Sequence, residues 1–169
     1  AARVVAAGHS YGANTTLLAA GARVLRDGRP LRLRDERVRA AIVLSAPPFY
    51  GATDPQPILQ PIRVPTLHVT TSDDVIRIPG YYSPVTDRLR VYDAVGSARK
   101  ALAVYAGGSH SIFTDRTATG GIQRNAQVKQ ATQSLALAFL HEVFDGQTRA
   151  LDAWHARHVD LLAQFSRVG

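Results

Sequence analysis

Cysteine is absent from the 169 residues, which excludes a disulfide framework and any thiolate metal site and leaves the redox compartment open. Methionine is absent too. A reading frame begins with methionine, so the sequence is expected to have lost its beginning, and any signal peptide with it; localisation is therefore not legible. Lysine is limited to Lys100 and Lys129, and the formal charge of +7 is carried by arginine. Long apolar runs are lacking, since none approaches the ~18 residues that a membrane span requires. Seven arginines fall between Arg23 and Arg39, but Asp27, Asp35 and Glu36 interrupt them and no aromatic residue is interleaved for base stacking. That pattern describes a solvated face, so neither a nucleic-acid partner nor a membrane span is expected.

What is present is enough for one domain with a core, because a chain of this length buries roughly two-thirds of its unfolded surface. Short apolar runs recur. Arg3 to Ala7 (RVVAA), Ala40 to Ser45 (AAIVLS), Thr66 to Thr70 (TLHVT) and Ala101 to Tyr105 (ALAVY) read as strands. They are unbroken in hydrophobicity and separated by long connections, the mark of a parallel sheet covered on both faces. Helices are expected over Ala13 to Arg26, closing at Asp27-Gly28, over Gln127 to Phe144, and from about Leu151 to Phe165. The fold class is α/β, a mostly parallel sheet with helices on both sides.

The first strand runs into Gly8-His9-Ser10-Tyr11-Gly12, and a helix follows at once. A Gly-x-Ser-x-Gly between strand and helix holds its serine on a sharp, strained turn; glycines two residues either side are expected to remove collisions with strand and helix. The helix N-terminus then offers backbone N–H groups to developing negative charge, Tyr11 N–H among them. A serine hydroxyl needs a base to take its proton and a carboxylate to hold that base in the right tautomer. His110 and Asp74 fit, because each lies just past the C-terminal end of an expected parallel strand, the edge where open α/β sheets place their sites. Asp73 is the alternative carboxylate.

Gly8 to Gly12, the stretch Pro65 to Asp74 (PTLHVTTSDD) and Gly107-Gly108-Ser109-His110 together resemble the α/β-hydrolase superfamily. Within it, the sequence is most similar to dienelactone-hydrolase and polyester-hydrolase-like esterases. The resemblance implies that residues 1–169 are the C-terminal part of a single domain, carrying strands five to eight and the helices that follow them. It also implies an acid ten residues into the Pro-x-Leu-x-Val pattern, which lands on Asp74. The implied activity is serine ester hydrolysis through an acyl-enzyme, on a small-molecule or polymeric ester, with no metal and no organic cofactor. An amidase, thioesterase or peptidase using the same groups, or a silent scaffold that binds a small molecule or protein, remains open. The loop after strand three, which supplies a second oxyanion donor in that fold, has no counterpart here. The N-terminal portion of the same domain is therefore an expected partner, and without it the first strand would be a bare edge.

Phe49 and Tyr50 follow the second strand, and Tyr81 and Tyr82 follow the acid loop; all four are candidates for the rim of a substrate pocket. His68 alternates with Leu67 and Val69 and is expected to be a packed, hydrogen-bonded core histidine. His9 is expected to pack rather than react. His155 and His158 have the i, i+3 spacing of a metal pair but no third ligand in view, and a solvent-facing position is expected for both.

Overall fold

The computed structural model describes residues 3–49, 51–115 and 122–169. β1 (Val4–His9) turns through Ser10 into α1 (Tyr11–Ala20). A hairpin of β2 (Leu25–Arg26) and β3 (Arg29–Pro30) follows, then β4 (Val38–Leu44) and the short α2 (Gln56–Leu59). β5 (Thr66–Thr71) leads to a second hairpin, β6 (Ile76–Ile78) and β7 (Tyr81–Ser83), and then to α3 (Val85–Ala94) and β8 (Lys100–Tyr105). The chain closes with α4 (Ile122–Asp145), α5 (Ala150–His158), a single 3-10 turn and β9 (Leu162–Val168).

The main sheet has the order β1-β4-β5-β8-β9. Its first four strands are parallel, with Gly8 beside Val43, Leu67 beside Ala101 and Ile42 beside Leu67, and β9 runs antiparallel to β8. Period-two alternation sorts the side chains. Ala40, Ile42, Leu67, Val69, Ala101 and Ala103 meet Val128, Leu135 and Phe139 of α4 and Trp154 of α5 on one face. Ala41 and Val43 meet Ala13 and Leu17 of α1 and Val91 and Ala94 of α3 on the other. Both faces are covered by helices, which is why the strands read as continuous apolar runs.

Three elements differ from the sequence expectation. α1 does not reach Arg26. It stops at Gly21, whose φ of 121° lies outside the helical region and whose N–H returns to Leu18 O. Asp27-Gly28 does not close a helix either: with φ of 51° and 74° it is the two-residue turn between β2 and β3, where both central residues need positive φ. The last helix ends at His158, not near Phe165, and Leu162–Val168 is instead the fifth strand. Leu, Ala and Gln favour a helix there, but pairing along the open side of β8 overrides that propensity. Among the described residues no helix is long and apolar enough to cross a membrane.

Candidate active site

Parallel strands deliver their carboxyl ends to one edge of the sheet, and three loops leave from it. The first is the turn at Ser10. Its N–H donates to Leu44 O at 2.9 Å, so the ladder with β4 continues one residue past the strand, while φ 57° and ψ −124° force the chain abruptly into α1. Positive φ at a non-glycine residue costs on the order of 1–3 kcal/mol and persists only where surrounding structure imposes it. Gly8 is part of that imposition, because a Cβ there would overlap the carbonyl of Gly12. Gly12 is not: a Cβ on it would meet nothing within 4 Å. The collision relieved by the motif is thus one-sided. The Ser10 side chain makes no capping bond to its own helix. Its hydroxyl donates instead to His110 Nε2 at 2.9 Å.

The second loop leaves β5 and brings Asp74 under His110, whose Nδ1–H donates to Asp74 Oδ1 at 2.8 Å. Asp73, one residue earlier, is exposed and accepts only from its neighbour Ser72 Oγ among the contacts described. Asp74 is fully buried and its other oxygen, Oδ2, accepts from Thr70 Oγ1 at 2.7 Å. Burial pushes this carboxyl up, but the hydrogen bond from His110, the charge of Arg88 and the hydroxyls of Ser45 and Thr70 outweigh it and hold the group at about 2. Ser45 Oγ contributes by proximity, since it is buried without a hydrogen-bond partner of normal geometry.

The third loop leaves β8 and carries His110. Gly107 and Gly108 take φ of 71° and 96°, which side-chain-bearing residues rarely adopt. Gly107 N–H donates to Ser72 Oγ at 2.7 Å and Thr71 Oγ1 donates to Gly108 O at 2.6 Å, tying the loop to the end of β5. His9 Nε2–H donates to His110 O at 2.8 Å, and the two rings lie 4.9 Å apart. His9 therefore packs, as expected, and also braces the loop.

Tyr11 opens α1, so its N–H is among the donors that a helix leaves without an intrahelical acceptor. Phe49, Tyr81 and Tyr82 share a cleft of about 440 Å³ with Asp87 and Arg90, and neither Ser10 nor His110 forms part of its wall. Tyr50 lies outside the described residues. Among the described residues no three His, Asp or Glu side chains are placed to hold a metal ion. His155 stacks on Phe165 and His158 on Trp154, and both residues stay half-exposed. His68 is buried edge-on to Tyr92, but its Nε2 has no hydrogen-bond partner, contrary to the expected satisfied core histidine. Sequence reasoning missed Arg88, whose buried guanidinium donates to Asp74 Oδ1 at 3.2 Å.

The order of strands, the sharp turn after β1 and the three loops at one edge define the class: this is an α/β fold of the α/β-hydrolase type. Among solved structures, the chain is similar to a serine-to-alanine mutant of puromycin hydrolase complexed with PGG, at a TM-score of 0.52 and 16% identity. The match covers 85% of this chain and 22% of that one, so the chain spans about a fifth of the hydrolase it resembles. No known family model matches the chain, and no curated protein matches it.

Proposed function

We propose that the protein is a serine hydrolase acting on carboxylic esters, with Ser10 as nucleophile, His110 as general base and acid, and Asp74 as the carboxylate that orients the imidazole. The observation that carries the reading is the unbroken relay Ser10 Oγ–His110–Asp74, with bonds of 2.9 and 2.8 Å. As Ser10 Oγ bonds to the acyl carbon, its proton passes to His110 Nε2 and the carbonyl oxygen becomes an oxyanion that Tyr11 N–H faces. Collapse breaks the bond to the alcohol oxygen, which takes the proton from His110. Water then attacks the acyl-enzyme by the same route, releasing acid and free Ser10.

A fluorophosphonate probe tests this, because it reacts with a serine only when a base activates it. Labelling mapped to Ser10, lost in Ser10→Ala and accompanied by turnover of a chromogenic ester, is the expected result. Absence of both in the complete, folded protein would leave a silent scaffold. The likeness in fold to a puromycin hydrolase makes puromycin the second substrate to try. Turnover of it without turnover of esters would move the assignment away from esterase.

A further inference from the structure

We propose that Arg88 is a positioning residue for Asp74, held in place by Ser83 and by one internal water molecule bound between Arg88, Ser45 and His68. The proposal rests on the hydrolase reading above only for its kinetic consequence. Arg88 sits in α3, and its side chain is 2% exposed against a carboxylate that is 0% exposed. Taking two ions out of water is costly, and such a pair persists where each ion's remaining donors and acceptors are satisfied. Asp74 meets that condition: Oδ1 takes His110 Nδ1–H and an Arg88 N–H, and Oδ2 takes the Thr70 hydroxyl. On the arginine, one terminal nitrogen is anchored by Ser83 Oγ and Pro84 O, and Ser83 in turn donates to Asp87 Oδ2 at 2.6 Å.

Three buried polar atoms near this pair have no hydrogen-bond partner of normal geometry among the described residues, namely Arg88 Nε, Ser45 Oγ and His68 Nε2. Their residues line one small cavity, together with Val43, Val69 and Leu102. The cavity measures about 10 Å³, at the lower end of what a single water needs when two to four polar groups surround it. The chemistry is complementary. Arg88 Nε–H donates to the water, the water donates to Ser45 Oγ, and its second proton goes to the lone pair of His68 Nε2. Burial, aided by the charge of Lys100, pushes His68 down to about 3 and keeps the ring neutral, and in the Nδ1–H tautomer Nε2 presents its lone pair to the water.

The guanidinium also changes what His110 meets. Among the described residues, the charged and titratable groups in contact with Asp74 are Arg88 from α3, with Asp87 behind Ser83, and His110 from the β8 loop. With Arg88 present the imidazolium formed during reaction sees a neutralised pair. Without it that imidazolium would face an uncompensated carboxylate, an added attraction for positive charge at the ring.

The test compares wild type, Arg88→Met, Arg88→Lys and Ser83→Ala in the complete protein. In Arg88→Met the acid limb of kcat/KM should move up by about one pH unit and kcat should fall with KM unchanged, while Arg88→Lys should keep the limb in place. A folded Arg88→Met with the wild-type limb and kcat overturns the proposal. Should Arg88→Met fail to fold, Ser83→Ala, which loosens only the anchor, carries the test: a smaller shift in the same direction supports it and an unmoved limb overturns it. The downfield proton resonance of His110 Nδ1–H reports the coupling without turnover. Persistence of that resonance to higher pH in Arg88→Met, in a protein that hydrolyses nothing, would uphold Arg88 and sink the hydrolase reading instead. A crystal structure should show one water within hydrogen-bond distance of all three orphan atoms, and direct closure of Ser45 or His68 onto Arg88 would overturn that part.

Discussion

Three hydrogen bonds converge on the buried Asp74 carboxylate, from His110, Arg88 and Thr70, which makes its substitution informative. Asp74→Asn leaves shape intact but presents the wrong partner to His110 Nδ1, so turnover should drop on the order of 10⁴-fold. Asp73→Asn, at an exposed side chain, should leave turnover within about twofold of wild type. Ser10→Ala and His110→Ala should each remove nearly all of it, since the pair acts as a unit. Steady-state rates on a chromogenic ester settle all four, and more than a tenth of activity left in Ser10→Ala would falsify the nucleophile. Stability has its own acid signature. His68, held at about 3 against an ordinary 6.5, binds a proton more weakly folded than unfolded, so stability should fall by about 1.4 kcal/mol per pH unit as pH drops from about 6.5 toward 3. Asp74, held at about 2 against an ordinary 3.8, adds a second loss from about pH 4 downward. Urea unfolding at pH 7, 5 and 4 should show the first slope, and His68→Asn should flatten it above pH 4 while leaving the second. An unaltered slope in that variant would remove His68 as its source.

At the scale of elements, the turn between β1 and α1 makes the sharpest statement about sequence. Gly8→Ala should prevent the turn from closing, because the new Cβ overlaps backbone at Gly12 and backbone cannot step aside. Gly12→Ala meets open space inside a helix and should keep the fold, with a slight gain from helix propensity. Thermal melts of the two variants separate them, and equal destabilisation would mean that the turn is not set by this contact. The motif, the strands and the two loops after β5 and β8 were legible because each is local: an apolar run of five or six residues, a glycine at a bend, a polar residue just beyond. Arg88 was not, since Thr-Asp-Arg-Leu-Arg reads as a solvated helix face and only the packing of α3 under the β5 loop buries it. β9 escaped for a similar reason, its register with β8 being a tertiary fact. Lys100 is a third case. Its ammonium donates to Tyr92 O, Asp93 O and Val95 O and so caps the C-terminal end of α3, a role that a lysine at the start of a strand does not announce.

At the scale of the whole molecule the asymmetry of the sheet matters most. One edge, β9, runs antiparallel to its neighbour; the other, β1, pairs with β4 on one side and among the described residues with nothing on the other. Val4 on that edge is 36% exposed, and no proline or lysine in β1 blunts it. An open, apolar edge strand is a template for pairing with another chain. We propose that a further strand, from a second copy of the chain or another segment, covers this edge. Tyr11 N–H is the one oxyanion donor identified among the described residues, and lack of a second typically costs 10² to 10³-fold. Residues 1–169 expressed alone should therefore associate in sedimentation velocity and show little ester turnover. Val4→Lys, which places a charge on the edge, should shift them toward monomer without restoring activity, because charge blocks pairing but supplies no donor. A chain of residues 1–169 that sediments as a cooperatively folding monomer with full activity would show that β1 needs no covering strand and that Tyr11 N–H suffices for the oxyanion.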